Sequence, residues 1–118
     1  MKDLAPDIKR QRLLIEGFYK IKVDEEIIKL YYKTITAALN LKTYGLPTIY
    51  ATSGQGKEIN QGYDAFVPLI DSGIYLGVWA NKNFLSTIIY TCKDFDEKKA
   101  REVTKKFWKI KETATHAF

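Results

Sequence analysis

The sequence predicts an α+β fold, a single two-layer sandwich in which a mostly antiparallel sheet carries two helices on one face. Three observations predict it. Residues 63–92 hold three apolar, β-rich runs separated by links of two and three residues, and links that short force antiparallel neighbours. Two segments, 25–41 and the stretch after Asp96, repeat apolar residues at helical spacing behind an aspartate. The 118 residues are the length of one domain. A chain of that size buries about two-thirds of its unfolded surface, enough for a core without disulfides or metal.

Residues 1–10 read as a flexible polar leader broken by Pro6, residues 11–110 as the domain, and residues 111–118 as a frayed tail. The run 13–19 is short and apolar with Gly17 near its end, which predicts the first strand. Asp24 then stands as a helix N-cap, with Glu25 and Glu26 in the first turn, where acids suit the helix dipole. Ile27, Ile28, Tyr31, Ile35, Ala38 and Leu39 form a core stripe over 25–41, and the helix is expected to end before Gly45 and Pro47. Residues 46–51 make a short second strand.

Residues 52–62 form a glycine-bearing loop with Gly54-x-Gly56. A phosphate cradle of that type needs a third glycine opening a helix. Here Ile59 takes that position and an apolar strand follows, so a flexible hairpin loop is expected. Strands 63–70, 73–80 and 84–92 come next, joined at Asp71-Ser72 and at Asn81-Lys82-Asn83. Pro68 predicts an edge position or a bulge within the first of them. Asp94-x-Asp96-Glu97 opens the last helix, with Ala100, Val103, Phe107 and Ile110 on one face.

Composition excludes several classes of function. Hydrophobic residues at 46% and charged residues at 28% give a globular balance, and no apolar run approaches the roughly 20 residues of a membrane span. No apolar segment of the secretory type follows the basic N-terminus. The lone Cys92 allows no internal disulfide, which fits a reducing compartment, so a cytoplasmic location is expected. The net charge of +5 gathers at Lys9, Arg10 and Arg12 and again at Lys98, Lys99, Arg101, Lys105, Lys106 and Lys109. The second group shares its helix with Glu97 and Glu102 and reads as a solvated face, so nucleic acid is not the expected partner.

The usual catalytic constellations are missing. His116 is the only histidine, so neither a Ser-His-Asp nor a Cys-His arrangement has its base where one would be expected. One histidine and one cysteine do not make a zinc site, and no metal is expected. No carboxylate pair stands out. What remains is Asp71-Ser72-Gly73 with Trp79 and Cys92. Counted outward from Lys82, Ser72 and Cys92 are each ten positions away, which predicts cross-strand neighbours. The plainer reading stays open: Ser72 as a turn residue and Cys92 as a buried small hydrophobe.

The run from Gly62 to Trp79, with Leu69-Ile70-Asp71-Ser72-Gly73 at its centre, is followed by Tyr90-Thr91-Cys92-Lys93-Asp94-Phe95-Asp96 and a helix. It resembles the small bacterial and archaeal S-adenosylmethionine decarboxylases of polyamine (spermidine) biosynthesis. In that family a serine hydroxyl attacks the carbonyl of the preceding glutamate. The ester then eliminates, and the serine becomes an N-terminal pyruvoyl group that serves as electron sink for loss of CO2. The resemblance implies that Ser72 is the cleavage serine, Asp71 the preceding acid and Cys92 the proton donor. It implies that Trp79 stacks on adenine, with Asp64 and Tyr75 as further substrate contacts. A lyase acting on S-adenosylmethionine as a homodimer, with a pyruvoyl group derived from Ser72, is the implied function.

The departures are specific. The family has Glu-Ser-His where this chain has Asp71-Ser72-Gly73, and the histidine of its His-Thr-Trp-Pro-Glu stretch falls on Gly77. Ester elimination needs a base for the serine α-proton, and imidazole suits that task near neutrality. Asp64 and Tyr75 are the candidates to stand in for it. The alternative reading is an uncleaved homologue that binds S-adenosylmethionine or a partner subunit, or runs different chemistry on that substrate.

Overall fold

Alternation sets the two faces of the sheet. In strands β4 (Ser72–Trp79) and β5 (Phe84–Thr91), Ile74, Leu76 and Val78 pair with Ile89, Thr87 and Leu85, and all six are buried. The residues between them face the other way. Four more strands complete the sheet: β1 (Gln11–Phe18), β2 (Thr48–Ala51), β3 (Gly62–Leu69) and β6 (Ala114–Ala117). Their order is β2-β3-β4-β5-β1-β6, and every neighbouring pair is antiparallel. The computed structural model describes residues 1–118 apart from Ser53 and Gln55, which belong to the predicted glycine loop and lie outside the described residues.

Helices α1 (Glu25–Ala38) and α2 (Glu97–Trp108) supply the second layer. Ile28, Tyr31, Tyr32 and Ile35 of α1 and Ala100 and Trp108 of α2 share one core with Leu13, Ile15, Val67, Ile74 and Ile89 of the sheet. The predicted caps are present: Asp24 accepts the Ile27 N–H at 2.9 Å, and Asp96 accepts the Lys99 N–H at 3.0 Å. Both helices stop at a left-handed residue, Asn40 (φ 56) and Lys109 (φ 52). The next amide reaches back, Leu41 to Thr36 and Ile110 to Lys105, each at 2.9 Å. That closure satisfies the last carbonyls and tucks a buried apolar residue against the helix end. It ends α1 three residues before the expected boundary.

Two expectations need correction. Residues 111–118 are not a frayed tail: β6 pairs with β1 over Leu13↔Ala117 to Glu16↔Ala114. Four exposed residues of mixed polarity carry no alternation signal, so only the partner strand reveals it. The β3–β4 turn is Ile70-Asp71, with Ser72 already in β4, where Asp71-Ser72 was expected. Pro68 lies past the end of the β2 ladder, where residues 42–44 cover the edge of β3 through a single Thr43↔Leu69 bridge. β2 pairs with β3 only from Tyr63 to Phe66, and the Pro68 carbonyl accepts the Tyr44 N–H at 3.4 Å beyond the end of β2. The missing proline donor faces that same side, where no ladder bond is lost.

Gly62 is the glycine that the fold cannot replace. Its φ is +156, and a Cβ there would sit 1.9 Å from the Val78 carbonyl oxygen, a backbone atom that cannot swing away. Gly62→Ala should therefore displace β3 from β4 and lower the urea midpoint steeply, whereas Gly45→Ala, with open space around it, should leave the midpoint nearly unchanged.

Candidate functional site

The site grows from the β3–β4 hairpin. A two-residue link turns the chain, and Asp71 takes a left-handed conformation with φ 61. Aspartate tolerates that region better than most non-glycine residues, at a cost of about 1 kcal/mol. Ser72 follows as the first residue of β4 and pairs with Thr91, not with Cys92. The expected register is off by one because the β4–β5 loop holds four residues, Ala80 to Asn83, closed by Trp79↔Phe84. Cys92 is one step past the strand, and its backbone N–H donates to the Asp71 carbonyl oxygen at 2.8 Å. Serine and cysteine are thus brought to the same end of the sheet, coupled through backbone.

Ser72 Oγ is buried and has no hydrogen-bond partner among the described residues. Its cross-strand neighbour Thr91 gives its own hydroxyl proton to the Lys93 carbonyl. A shallow groove of about 340 Å³ opens beside the hairpin, lined by Phe66, Asp71, Ser72, Tyr75, Tyr90 and Cys92 among others. Four of the predicted site residues, Asp71, Ser72, Tyr75 and Cys92, meet there. Asp64 joins them indirectly, accepting the Tyr75 hydroxyl at 3.2 Å. Phe66 and Tyr90 were missed by the sequence reading. The available signal was alternation: Phe66, Tyr75, Ile88 and Tyr90 all occupy the outward positions of β3, β4 and β5.

Gly73 and Gly77 are not empty positions. A Cβ on Gly73 would meet the Phe66 ring at 2.8 Å, and a Cβ on Gly77 would meet the Tyr75 hydroxyl at 3.0 Å. Neighbouring aromatics therefore cover the two places where the resemblance expects histidine. Burial, then the negative charge of Asp64, push the Tyr75 hydroxyl above its ordinary range. Tyr75 stays protonated at neutral pH and acts there as a donor, which makes it a poor replacement for an imidazole base.

Trp79 lies outside the groove. It is seven residues along β4 from Ser72, roughly 23 Å at strand rise. Its indole N–H donates to Asn60 Oδ1 at 2.9 Å, and its ring meets Phe84 at 5.5 Å. Together with the Asn81 amide on the Glu58 carbonyl, it pins the end of the glycine loop to the far rim of the sheet. His116 is also remote. It stands on β6 opposite Leu14, three strands from β4, roughly 14 Å at strand spacing. Among the described residues no group of three or more His, Cys, Asp or Glu side chains is placed to hold a metal ion.

Comparison with known proteins bears on the fold. No family model and no curated protein matches the sequence. Among solved structures, the adenosylmethionine decarboxylase from Aquifex aeolicus VF5 superimposes with a TM-score of 0.72 at 17% identity, over 94% of this chain and 89% of that one. The chain has an adenosylmethionine decarboxylase-like fold. At that identity the likeness concerns architecture: the six-stranded antiparallel sheet with two helices on one side. Within this decarboxylase-like fold no helix among the described residues is long and apolar enough to cross a membrane.

Proposed function

We propose that the protein acts on S-adenosylmethionine, or a closely related amino-acid-like cation, at the Ser72 groove, as a diverged decarboxylase that makes a pyruvoyl group from its own Ser72. The observation that carries this reading is the setting of the Asp71–Ser72 bond. Its carbonyl oxygen accepts the Cys92 N–H at 2.8 Å, and the Ser72 hydroxyl beside it has no partner. Attack of that hydroxyl on the Asp71 carbonyl carbon places negative charge on the oxygen at which the Cys92 N–H already points, and a preoriented donor stabilises such charge. The left-handed Asp71 adds backbone strain that cleavage releases.

The steps balance on this chain's own atoms and water. The Ser72 Oγ to Asp71 carbon bond forms as the amide C–N bond breaks, and the freed nitrogen takes up the hydroxyl proton. Loss of the Ser72 α-proton then expels the Asp71 carboxylate. Water replaces the nitrogen, which leaves as ammonia. The resulting pyruvoyl group supplies an electron sink for decarboxylation. The side chains around it suit a cationic substrate: Phe66, Tyr75 and Tyr90 offer aromatic faces to a sulfonium, and Asp64 and Asp71 offer carboxylates to positive charge. Cys92 is exposed, on the groove wall, where its thiol can return a proton to the carbon that has lost CO2.

A specific observation favours a second reading, the uncleaved homologue. Phe66 occupies the space over Gly73, Tyr75 and Trp79 share that over Gly77, and no imidazole lines the groove. In that case the intact chain binds S-adenosylmethionine or a partner subunit, or runs different chemistry on the same substrate. Intact mass separates the two readings.

A homodimer fits either one. Phe18, Tyr50, Phe66 and Tyr90 project from the helix-free face of the sheet and are 41–66% exposed. Exposed aromatics clustered on one face favour association. Light scattering should give twice the chain mass, and Tyr50→Glu combined with Phe18→Glu should return the protein to a monomer. A wild-type protein that already runs as a monomer would remove the dimer.

A further inference from the structure

Arg12 stands on the helix-free face of the sheet, in one cross-strand row with Tyr90 and Gly73. Its side chain is half-buried. Its Nε is fully buried with no hydrogen-bond partner, and the guanidinium forms no ion pair among the described residues. What holds it is an aromatic ring: the guanidinium carbon lies 5.4 Å from the centre of Phe118. Phe118 is in turn fixed by its own amide, which donates to the Arg12 carbonyl at 3.2 Å.

Its cationic neighbours are already matched. Lys9 meets Asp94 at 2.6 Å, and Arg10 meets Asp3 and the Ala5 carbonyl. Arg12 makes no close ion pair among the described residues, although its charge reaches Asp3, and it borders a cavity of about 580 Å³ that Asp3, Asp7, Lys9, Arg10 and Phe118 also line. A half-buried guanidinium whose Nε has no acceptor keeps part of its desolvation cost uncompensated. A planar fork of donors with one face on an aromatic ring is the arrangement that grips carboxylate and phosphate oxygens in pairs.

We propose that Arg12 anchors an oxyanion-binding site in this cavity, taking a carboxylate or phosphate group. The group comes either as a free anion or as the anionic end of a molecule reaching from the Ser72 groove. Arg12 and Gly73 are two strands apart, about 10 Å, with Tyr90 between them. Asp3 and Asp7 are the competing carboxylates on the cavity wall; Asp3 is held by Arg10, so removal of Asp7, which has no ion pair among the described residues, strengthens anion binding.

The test is a titration of the whole chain with inorganic phosphate at constant ionic strength, followed by amide chemical shifts. It uses the Ser72→Ala background, so the outcome does not depend on self-cleavage. Saturable shifts at Arg12 and Phe118 are expected. Arg12→Gln should weaken them at least about ten-fold and Arg12→Lys by less, in line with the loss of a paired, charge-assisted contact. Asp7→Asn should tighten them, and Lys109→Gln, on α2, should leave them unchanged. Arg12→Gln removes no hydrogen bond, so an unchanged thermal midpoint certifies its fold. Shifts that fail to saturate, or that match in wild type and Arg12→Gln, overturn the proposal. Competition between phosphate and S-adenosylmethionine identifies the anionic end of a groove ligand, and independent binding identifies a free anion.

Discussion

Purified protein should run on a denaturing gel as two pieces, residues 1–71 and residues 72–118, and Ser72→Ala should run as one chain of 13.6 kDa. Intact mass should find the second piece beginning with a blocked residue, lighter than one beginning with serine. The effect is all or none because the Ser72 hydroxyl is the sole nucleophile adjacent to the Asp71 carbonyl in this scheme. Substitution by alanine removes an atom that is buried and unpartnered, so it deletes no hydrogen bond and the fold should hold. Thermal unfolding of Ser72→Ala then separates a failure to cleave from a failure to fold. A single 13.6 kDa species in the wild-type protein, stable over days, would sink the pyruvoyl reading and leave the uncleaved one. The two covered glycines make that a real risk. Proton removal from Ser72 Cα has no imidazole beside it, and the Tyr75 hydroxyl, the phenol that lines the groove, is held in its protonated form.

The largest effect on stability is expected at Trp108. Its side chain is completely buried, and its ring meets Tyr19 at 5.9 Å, Tyr31 at 5.3 Å and Phe107 at 5.3 Å. It therefore ties α2 to α1 and to the segment after β1. Trp108→Ala leaves a cavity at the centre of this cluster and should cost about 3–5 kcal/mol, a large share of the roughly 5–15 kcal/mol that holds a domain. Urea titration by circular dichroism checks it, and a loss under about 1 kcal/mol would mean that the helices close over the gap. Trp108→Phe should cost less. It keeps the ring contacts and removes an indole N–H that is buried without a partner. Beside Trp108, the Tyr31 hydroxyl and Thr104 Oγ1 bond at 2.8 Å across the two helices. Burial pushes the Tyr31 hydroxyl up to about 12, so this link persists through the ordinary pH range.

How far the site was legible depends on the kind of signal each residue carries. Asp71, Ser72 and Tyr75 came from one run and Cys92 from the run after it, and all four line one groove. Phe66 and Tyr90 come from neighbouring strands, and only pairing shows that they face the same way. The Ser72–Cys92 pairing failed by one residue because the length of the β4–β5 loop cannot be read from composition. In a sheet one step moves a residue to another partner and the other face. Trp79 shares the chemistry of a substrate contact but not the place, since a strand carries it to the opposite rim.

The sequence by itself determined most of the local structure: five of the six strands and both helices, the aspartate caps of both helices, and the short links that make the sheet antiparallel. These follow from side-chain periodicity and from backbone preferences at single positions, which act over a few residues. Tertiary structure alone decided the order β2-β3-β4-β5-β1-β6 and the recruitment of residues 114–117 as an edge strand. It also set the Arg12 guanidinium against the Phe118 ring. Each of these depends on contacts between residues far apart in the chain. Such contacts are selected by burying the whole core at once, and no window of the sequence contains both partners.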